Sequence, residues 1–176
     1  FFLSRIDSSV DALLETKIQQ TSDPDQQTLL KSLEGQTAIA NAKLAYERFK
    51  EIFASERFKA LEARGANAQR LLWASTGTKN PDYRDVRYVE ELVGPYTVNT
   101  MPPATLKACA DHCELRSSLE TGVEDARQTL QKLETVGISL TQVTDELLED
   151  GLVKFSGPFD KLIASLQAKT AMVTTG

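Results

Sequence analysis

The stretch "LLWASTGTKNP", from Leu71 to Pro81, decides the fold prediction for this chain. An apolar run breaks into hydroxyl side chains, a glycine and a lysine, and then reaches a proline. The run is continuous rather than alternating, which is typical of a strand that is buried on both faces of a parallel sheet. It predicts a strand over 69–76, followed by a loop of hydrogen-bond donors with one cation. An anion such as a phosphate would suit that loop.

Two further short strands are predicted on either side of this one, within 1–7 and over 96–101. Periodic apolar positions predict helices between and after them: one capped by Ser8 or Ser9 and carrying Val10, Leu13, Leu14 and Ile18, then helices over about 36–53, 56–65, 86–93, 104–112, 122–136, 140–149 and 156–171. The segment 21–27, "TSDPDQQ", is predicted to be a turn. Strands that alternate with helices indicate an α/β fold with a parallel sheet and crossover helices. Only three strands are visible, so the sequence predicts part of a larger fold.

The bulk composition excludes several classes of protein. The 176 residues are 41% hydrophobic and 26% charged, which is typical of one globular domain. A net charge of −5 without a basic run disfavours nucleic-acid binding. The apolar runs are far shorter than a membrane span needs, and the first residues do not resemble a signal peptide. Two cysteines suggest a reducing compartment, and an opening in mid-hydrophobic run without methionine suggests that residues precede Phe1.

Polar side chains follow the end of each predicted strand: Ser4 and Arg5 after the first, residues 75–80 after the second, and Asn99 with Thr100 after the third. In parallel α/β folds, ligands gather at the carboxyl ends of the strands. An arginine offers a planar fork to phosphate oxygens and a lysine offers a point charge. The stretch does not match the nucleotide-binding P-loop, because no glycine lies five residues before Gly77. A phosphate site and a merely structural polar loop both remain open.

Four motifs in order resemble the carboxyl-terminal part of transaldolases, especially the branch of cyanobacteria, plastids and some other bacteria. They are "FFLSRID", "RLLWASTGTKNP", "TVNTMPPATL" and the tail that begins "GISLTQVTDELLEDGL". The resemblance implies a (β/α)8 TIM barrel of which 1–176 is the carboxyl-terminal part, with strands six to eight, crossover helices and a helical tail. The amino-terminal strands would be absent from this chain. It also implies transfer of a dihydroxyacetone unit between sugar phosphates, in the pentose phosphate pathway, through a lysine Schiff base and without a cofactor.

The same resemblance implies roles for three residues. Arg5 falls on the phosphate-gripping arginine after strand six, and Ser75 on the phosphate-binding serine of strand seven. Lys79 is the candidate for a second arginine, which "STGTKN" replaces with a two-residue insertion. The Schiff-base lysine belongs to strand four and the active-site serine of strand six precedes Phe1, so we expect no catalytic residue and no metal ligand here.

The remaining polar residues have structural interpretations. Most lysines, Lys43 among them, are predicted on solvated helix faces, and Lys154 in a connection from Gly151 to Pro158. A solvated face is also the preferred interpretation of Asp7, Asp11 and Glu15, over an acid–base or metal set. His112 is interpreted as a helix-end residue, and Cys109 with Cys113 as inert thiols rather than a redox pair.

Two alternatives to a transaldolase remain: a non-catalytic phosphate-binding or assembly module, and another Schiff-base aldolase on the same barrel. The expected partners are sugar phosphates, the amino-terminal part of the same protein and, in a homodimer, a second copy. No nucleic acid or membrane is expected. The expected compartment is the cytoplasm or the plastid stroma.

Overall fold

The computed structural model describes residues 1–174, with side chains through Thr170. The strands are β1 (Leu71–Trp73) and β2 (Thr97–Asn99). The helices are α1 (Leu3–Gln20), α2 (Pro24–Leu33), α3 (Thr37–Ala54), α4 (Glu56–Glu62), α5 (Arg87–Glu90), α6 (Pro103–His112), α7 (Val123–Thr135) and α8 (Leu140–Thr174). The chain divides into two units, Phe1–Leu140 and the part that begins at Thr141.

The sheet of the first unit is parallel, as predicted, but smaller than predicted. β1 and β2 pair in register from Leu71 opposite Thr97 to Trp73 opposite Asn99. The third predicted strand, within 1–7, is only an isolated parallel bridge between Phe2 and Ala74. Helix α1 begins at Leu3, before the predicted caps Ser8 and Ser9, because the apolar positions already follow helical spacing there. The α/β class is therefore correct, with two short strands among the described residues rather than three.

Helices form most of the core of the first unit. Helix α1 packs on α2 and α3, and α3 packs on α7. The inward stripe of α1 consists of the buried residues Leu3, Ile6, Val10 and Leu14. Each such side chain contributes roughly 1.5–3 kcal/mol when it is removed from water. Their burial anchors α1 in the helical core of the first unit.

The predicted turn at 21–27 is wrong, since helix α2 begins at Pro24. Asp23 caps it, because its side chain accepts a hydrogen bond of 3.0 Å from Asp25 N. Proline is well tolerated at the first helical position, where its missing N–H is not needed. A cluster of Ser, Asp and Pro is therefore a turn signal and a helix-start signal at once.

Two further corrections concern exposure and helix length. Leu72 is 43% exposed, whereas Trp73 is 1% exposed, so β1 is not buried on both faces in this chain. The predicted connection around Lys154 is helical, because α8 continues through Pro158. Proline in a helix interior removes one hydrogen bond and weakens a helix without always ending it.

Among the described residues, no helix is long and apolar enough to cross a membrane.

Candidate functional site

The first turn of α1 is capped by the end of β1. Leu3 N donates to Ala74 O at 2.9 Å, and Ser4 N donates to Ser75 O at 3.1 Å. The first N–H groups of a helix have no intrahelical partner, and Phe2 supplies no side-chain cap. The two carbonyls of the β1 segment satisfy these donors. Arg5 therefore directly follows a residue that is bonded to Ser75.

The loops after β1 and β2 are also joined to each other. The buried Thr76 donates through Oγ1 to Asn99 Oδ1 at 2.9 Å. Thr100 donates to Trp73 O through its backbone N at 2.9 Å and through Oγ1 at 3.1 Å. The polar segments at all three predicted strand ends therefore meet at one edge of the sheet.

Ser75 is held in an unusual backbone conformation. Its φ is +53°, in the left-handed region that side-chain-bearing residues seldom adopt. Such strain persists where surrounding contacts fix the backbone, and here Ser75 O is fixed by Ser4 N. Two residues later, a Cβ on Gly77 would lie 3.0 Å from Thr105 Oγ1. The loop therefore runs close against the start of α6.

The three predicted site residues lie in different surroundings. Arg5 is half-buried, with its guanidinium 4.6 Å from the ring centre of Phe2. Ser75 lies at the joined strand ends described above. Lys79 is exposed and lines a cleft of about 440 Å³, called here the acidic cleft. Its polar wall residues include Asp7, Asp11, Glu15, Asn80, Asp82 and Tyr83.

Two carboxylates of α1 each accept two short hydrogen bonds. Asp7 accepts hydrogen bonds from Tyr88 Oη and from Ala38 N, each at 2.7 Å. Asp11, one turn later, accepts from Tyr83 Oη at 2.7 Å and from Gly35 N at 2.8 Å. We call Asp7, Asp11, Tyr83 and Tyr88 the Asp–Tyr clamp. It ties α1 to the start of α3 and to the segment after the Lys79 loop.

The clamp corrects the prediction that Asp7 and Asp11 lie on a solvated face. Asp7 is 1% exposed and Asp11 is 8% exposed. Burial raises the pKa of Asp7 to about 6, although the hydrogen bonds from Tyr88 and Ala38 favour its charged form. Burial also raises the pKa of Tyr88, so its hydroxyl remains a donor. Glu15, the third member of that prediction, is exposed as expected.

One signal for the burial of Asp7 was present in the sequence. Asp7 lies four residues after Leu3 and three before Val10, within the stripe that α1 buries. Its tyrosine partner gave no such signal, because Tyr88 lies 81 residues away along the chain. The contact depends on how α1 and α5 are placed in space.

The prediction that Lys43 lies on a solvated helix face is also wrong. It is 7% exposed, and its Nζ donates to Thr121 O at 2.9 Å. Glu91 Oε2 lies 3.6 Å from the same nitrogen. The lysine lies on the face of α3 that packs on α7, so its ammonium is enclosed.

The other candidate residues form surface contacts. His112 Nε2 lies 2.8 Å from Asp85 Oδ1, and its Nδ1 lies 3.2 Å from Asp111 Oδ2. Cys109 and Cys113 are free thiols, and burial raises the pKa of Cys113 to about 12. A thiol with that pKa is a poor nucleophile at neutral pH. In the described part of the chain, no three His, Cys, Asp or Glu side chains are grouped as a metal site.

Fold and site together define an α/β protein whose parallel strands end at one edge, where the residue before Arg5 is bonded to the strained Ser75. The family model described as Transaldolase/Fructose-6-phosphate aldolase matches residues 1–166. The chain belongs to that family.

Individual relatives agree with this assignment. A protein named "Transaldolase" from Trichodesmium erythraeum is 49% identical over 176 residues, which is 99% of this chain and 46% of the relative. "Transaldolase 2" from Nostoc punctiforme is 51% identical over 177 residues, with 99% and 46% covered. "Transaldolase" from Neisseria gonorrhoeae is 45% identical over 166 residues, with 94% and 43% covered. The chain therefore spans just under half the length of the relatives that it matches.

Proposed function

We propose that the intact protein is a transaldolase, and that this chain supplies the part of a (β/α)8 barrel that holds the substrate phosphate. The reaction moves a dihydroxyacetone unit from fructose 6-phosphate or sedoheptulose 7-phosphate to an aldose phosphate. A lysine outside this chain forms the Schiff base with the substrate carbonyl. The fold and its relatives support the assignment, since relatives at 45–51% identity carry the name transaldolase.

One observation supports the phosphate role above the others: the backbone bond between Ser4 and Ser75. This bond joins Ser75 to the residue before Arg5, beyond the end of β1, and α/β folds hold ligands at the carboxyl ends of parallel strands. Arg5 can bind phosphate oxygens bidentately, and the Ser75 hydroxyl can donate a further hydrogen bond. Gripping the remote phosphate orients the carbonyl toward the lysine amine, which converts binding energy into rate.

Lys79 is proposed as the second cation of this grip. Its exposed position allows the side chain to move between the acidic cleft and a bound phosphate. Asp7 and Asp11 do not compete strongly for it, because each already accepts two short hydrogen bonds. We therefore expect a smaller contribution from Lys79 than from Arg5.

The reaction class is tested by trapping the covalent intermediate. The intact protein is incubated with fructose 6-phosphate and sodium borohydride, and its mass is then measured. We expect a three-carbon adduct on a lysine outside residues 1–176, located by peptide mapping. An adduct on a lysine of this chain would contradict the placement of the nucleophile. The absence of any adduct, with free sugar phosphate and active borohydride present, would contradict the function.

The phosphate role is tested by Arg5→Ala. Loss of a charge-assisted, bidentate contact of about 1.5–3 kcal/mol predicts a rise in KM for fructose 6-phosphate of roughly 10–100-fold. Arg48→Ala is the matched control, because Arg48 is exposed on α3 and pairs with the exposed Glu51. Circular dichroism verifies that both variants fold. An unchanged KM in a folded Arg5→Ala protein would remove Arg5 from the site.

The proposed partners are sugar phosphates and the amino-terminal part of the same protein, with a homodimer as the proposed assembly. The cytoplasm or plastid stroma is the proposed compartment, where free thiols such as those at positions 109 and 113 persist. Size-exclusion chromatography with light scattering tests the dimer.

A further inference from the structure

A second polar cavity of about 440 Å³ lies in the helical layer of the first unit. It is called here the α3–α7 cavity. Its polar wall residues are Gln36, Lys43, Arg87, Glu91, Asp125 and Thr129. None of these residues belongs to the strand-end segments around Arg5 and Ser75, and none lines the acidic cleft. The cavity is therefore a separate feature that the proposed reaction does not use.

Lys43 introduces a buried positive charge into the wall. Its side chain is 9% exposed, and Glu91 lies 3.6 Å away. Glu91 is shared with a second cation, since Arg116 Nη2 lies 3.5 Å from its other carboxylate oxygen. Burying an ammonium costs free energy unless partners compensate, and one shared carboxylate compensates two cations incompletely. The carboxylate of Glu91 therefore pairs with two cations other than Arg87.

Arg87 supplies the unoccupied donors. Its guanidinium lies 4.8 Å from the ring centre of Tyr83, which fixes its plane by cation–π contact. Among the described residues, no hydrogen bond or ion pair joins this guanidinium to another side chain or to the backbone. Asp7 acts on it only at longer range, and both oxygens of that carboxylate are already occupied by other donors. Arg87 is half-buried, so its five N–H groups are accessible from the cavity and have no acceptor among the described residues.

The charge and size of the cavity limit the ligand that it can accept. The wall carries two cations, Lys43 and Arg87, and two carboxylates, Glu91 and Asp125. Glu91 already pairs with Lys43 and with Arg116, which lies outside the wall, so the preference for an anion depends on Arg87. Gln36, Thr129 and Asp125 offer amide, hydroxyl and carboxylate groups to ligand hydroxyls. A volume of about 440 Å³ falls in the ordinary range for small-molecule sites, roughly 300–1,000 Å³. The wall is polar rather than apolar, which favours a hydroxylated anion.

We propose that the α3–α7 cavity binds a small hydroxylated phosphate ester, at a site separate from the one that holds the reacting sugar. Arg87 binds the phosphate through two parallel N–H groups, and Lys43 adds its charge from the wall. Gln36, Thr129 and Asp125 contact the hydroxyl groups. The inference does not depend on the transaldolase reaction, because none of these residues contributes to the strand-end site.

The site is tested by calorimetry with glycerol 3-phosphate as the probe, in the intact protein. Arg5→Ala is used as the background, so that binding at the strand-end site is weakened first. We expect one saturable site to remain in Arg5→Ala and to weaken at least tenfold when Arg87→Gln is added. Adding Arg127→Gln instead should change the affinity less than twofold, because Arg127 is an exposed cation of α7 outside the cavity wall.

Two further variants test whether misfolding causes the loss of binding in Arg87→Gln. Arg87→Lys keeps the charge and loses the planar fork, so it should give an intermediate affinity. Gln36→Leu, at an exposed position, should weaken binding a few-fold while the near-ultraviolet circular dichroism stays unchanged. Equal affinity in the Arg87→Gln and Arg127→Gln proteins would overturn the proposal. Loss of all saturable binding in Arg5→Ala alone would also overturn it, and would leave the proposed function standing.

Discussion

The segment from Tyr83 to Glu90 is fastened on two sides, and the two sides differ in their exposure to water. On one side, Tyr83 and Tyr88 donate to the buried carboxylates of α1 in the Asp–Tyr clamp. On the other, Arg84, Asp85 and Glu90 form a largely exposed ion network with His112 of α6, in which the Glu90 side chain, 13% exposed, is the most enclosed. Arg84 pairs bidentately with Glu90, each contact 2.9 Å, and donates to His112 O at 2.8 Å.

Bond lengths do not distinguish the two sides, since both contain contacts of 2.7–2.9 Å. The two sides differ in their access to water. An unmade bond in the exposed network is replaced by a bond to solvent, and its charges are screened by salt. An unmade bond in the clamp leaves a buried donor without a partner, which costs about 1–3 kcal/mol for each group. We therefore expect the clamp to contribute much more to stability than the network does.

The largest expected effect is that of Asp7→Ala. This change leaves Ala38 N and Tyr88 Oη without their acceptor, so the free energy of unfolding should fall by about 2–4 kcal/mol. The measurement is urea unfolding followed by circular dichroism. Glu15→Ala, on the same helix and exposed, is the control and should change stability by less than about 0.5 kcal/mol. Equal losses in the two variants would refute the distinction between buried and exposed carboxylates.

The next largest effect is expected at Gly35, whose backbone N donates to Asp11 of the clamp. Gly35 has a φ of +65°, and a Cβ there would lie 2.6 Å from Tyr83 Cζ. Gly35→Ala should therefore cost about 2–3 kcal/mol, from backbone strain together with displacement of Tyr83. Gly65→Ala is the control for backbone strain alone. Gly65 has a φ of +95°, and a methyl group there would meet nothing within 4 Å. If thermal unfolding shows the same loss for both, the close approach to Tyr83 contributes nothing.

Asp7 should also make the stability of the protein depend on pH. Its pKa is raised to about 6 in the fold, against an ordinary value of 3.8, so the folded state binds the proton more tightly. Stability should therefore decline as pH rises from about 4 to 6, by on the order of 2 kcal/mol, and then level off. Asp7→Asn can accept from Ala38 N and donate to Tyr88 Oη without titrating. The measured quantity is the difference in unfolding free energy between the two proteins across this range; a constant difference would contradict the raised pKa.

The smallest effect is expected in the exposed network. The pKa of His112 is raised by its hydrogen bond to Asp85 and then by that to Asp111. The resulting stabilisation is present below the ordinary pKa of 6.5 and is lost as pH rises through the higher pKa of the folded state. His112→Asn should lower the Tm slightly at pH 6 and not at pH 9, and high salt should remove the difference. If His112→Asn lowered stability at pH 6 as much as Asp7→Ala does, the network could not be weakened by its exposure to solvent.

The sequence predicted those features that depend on local pattern. The long helix at 36–53 and the helix at 122–136 agree with α3 and α7 to within about a residue, because their apolar stripes are continuous. The segments 1–7 and 21–27 were mispredicted where short patterns allow two conformations. An apolar run of a few residues suits a strand or the first turn of a helix. Here the helical spacing of Leu3, Ile6 and Val10, together with the bonds to Ala74 and Ser75, favours the helix.

The candidate site also combines features that local pattern predicts with features that depend on tertiary contacts. The approach of the segment around Arg5 to Ser75 could be predicted from the strand-end pattern, although the first predicted strand is only a bridge at Phe2 and Arg5 lies in the first turn of α1. The surroundings of Lys79 could not be predicted, since most carboxylates of its cleft come from α1, more than sixty residues earlier. The buried lysine at position 43 was likewise hidden, because its acceptors lie on a later loop and beside a later helix.

By itself, the sequence determined the α/β class, the order of most helices, the family and the polar character of the strand ends. These follow from side-chain periodicity and short motifs, which act over a few residues. The tertiary structure alone decided that Asp7 and Asp11 are buried and bonded to tyrosines 81 and 72 residues away. It also decided that Arg87 lines a cavity without an acceptor for its donors among the described residues. Burial, and with it the strength of every charge, is set by which distant segments exclude water, and no local pattern specifies those segments.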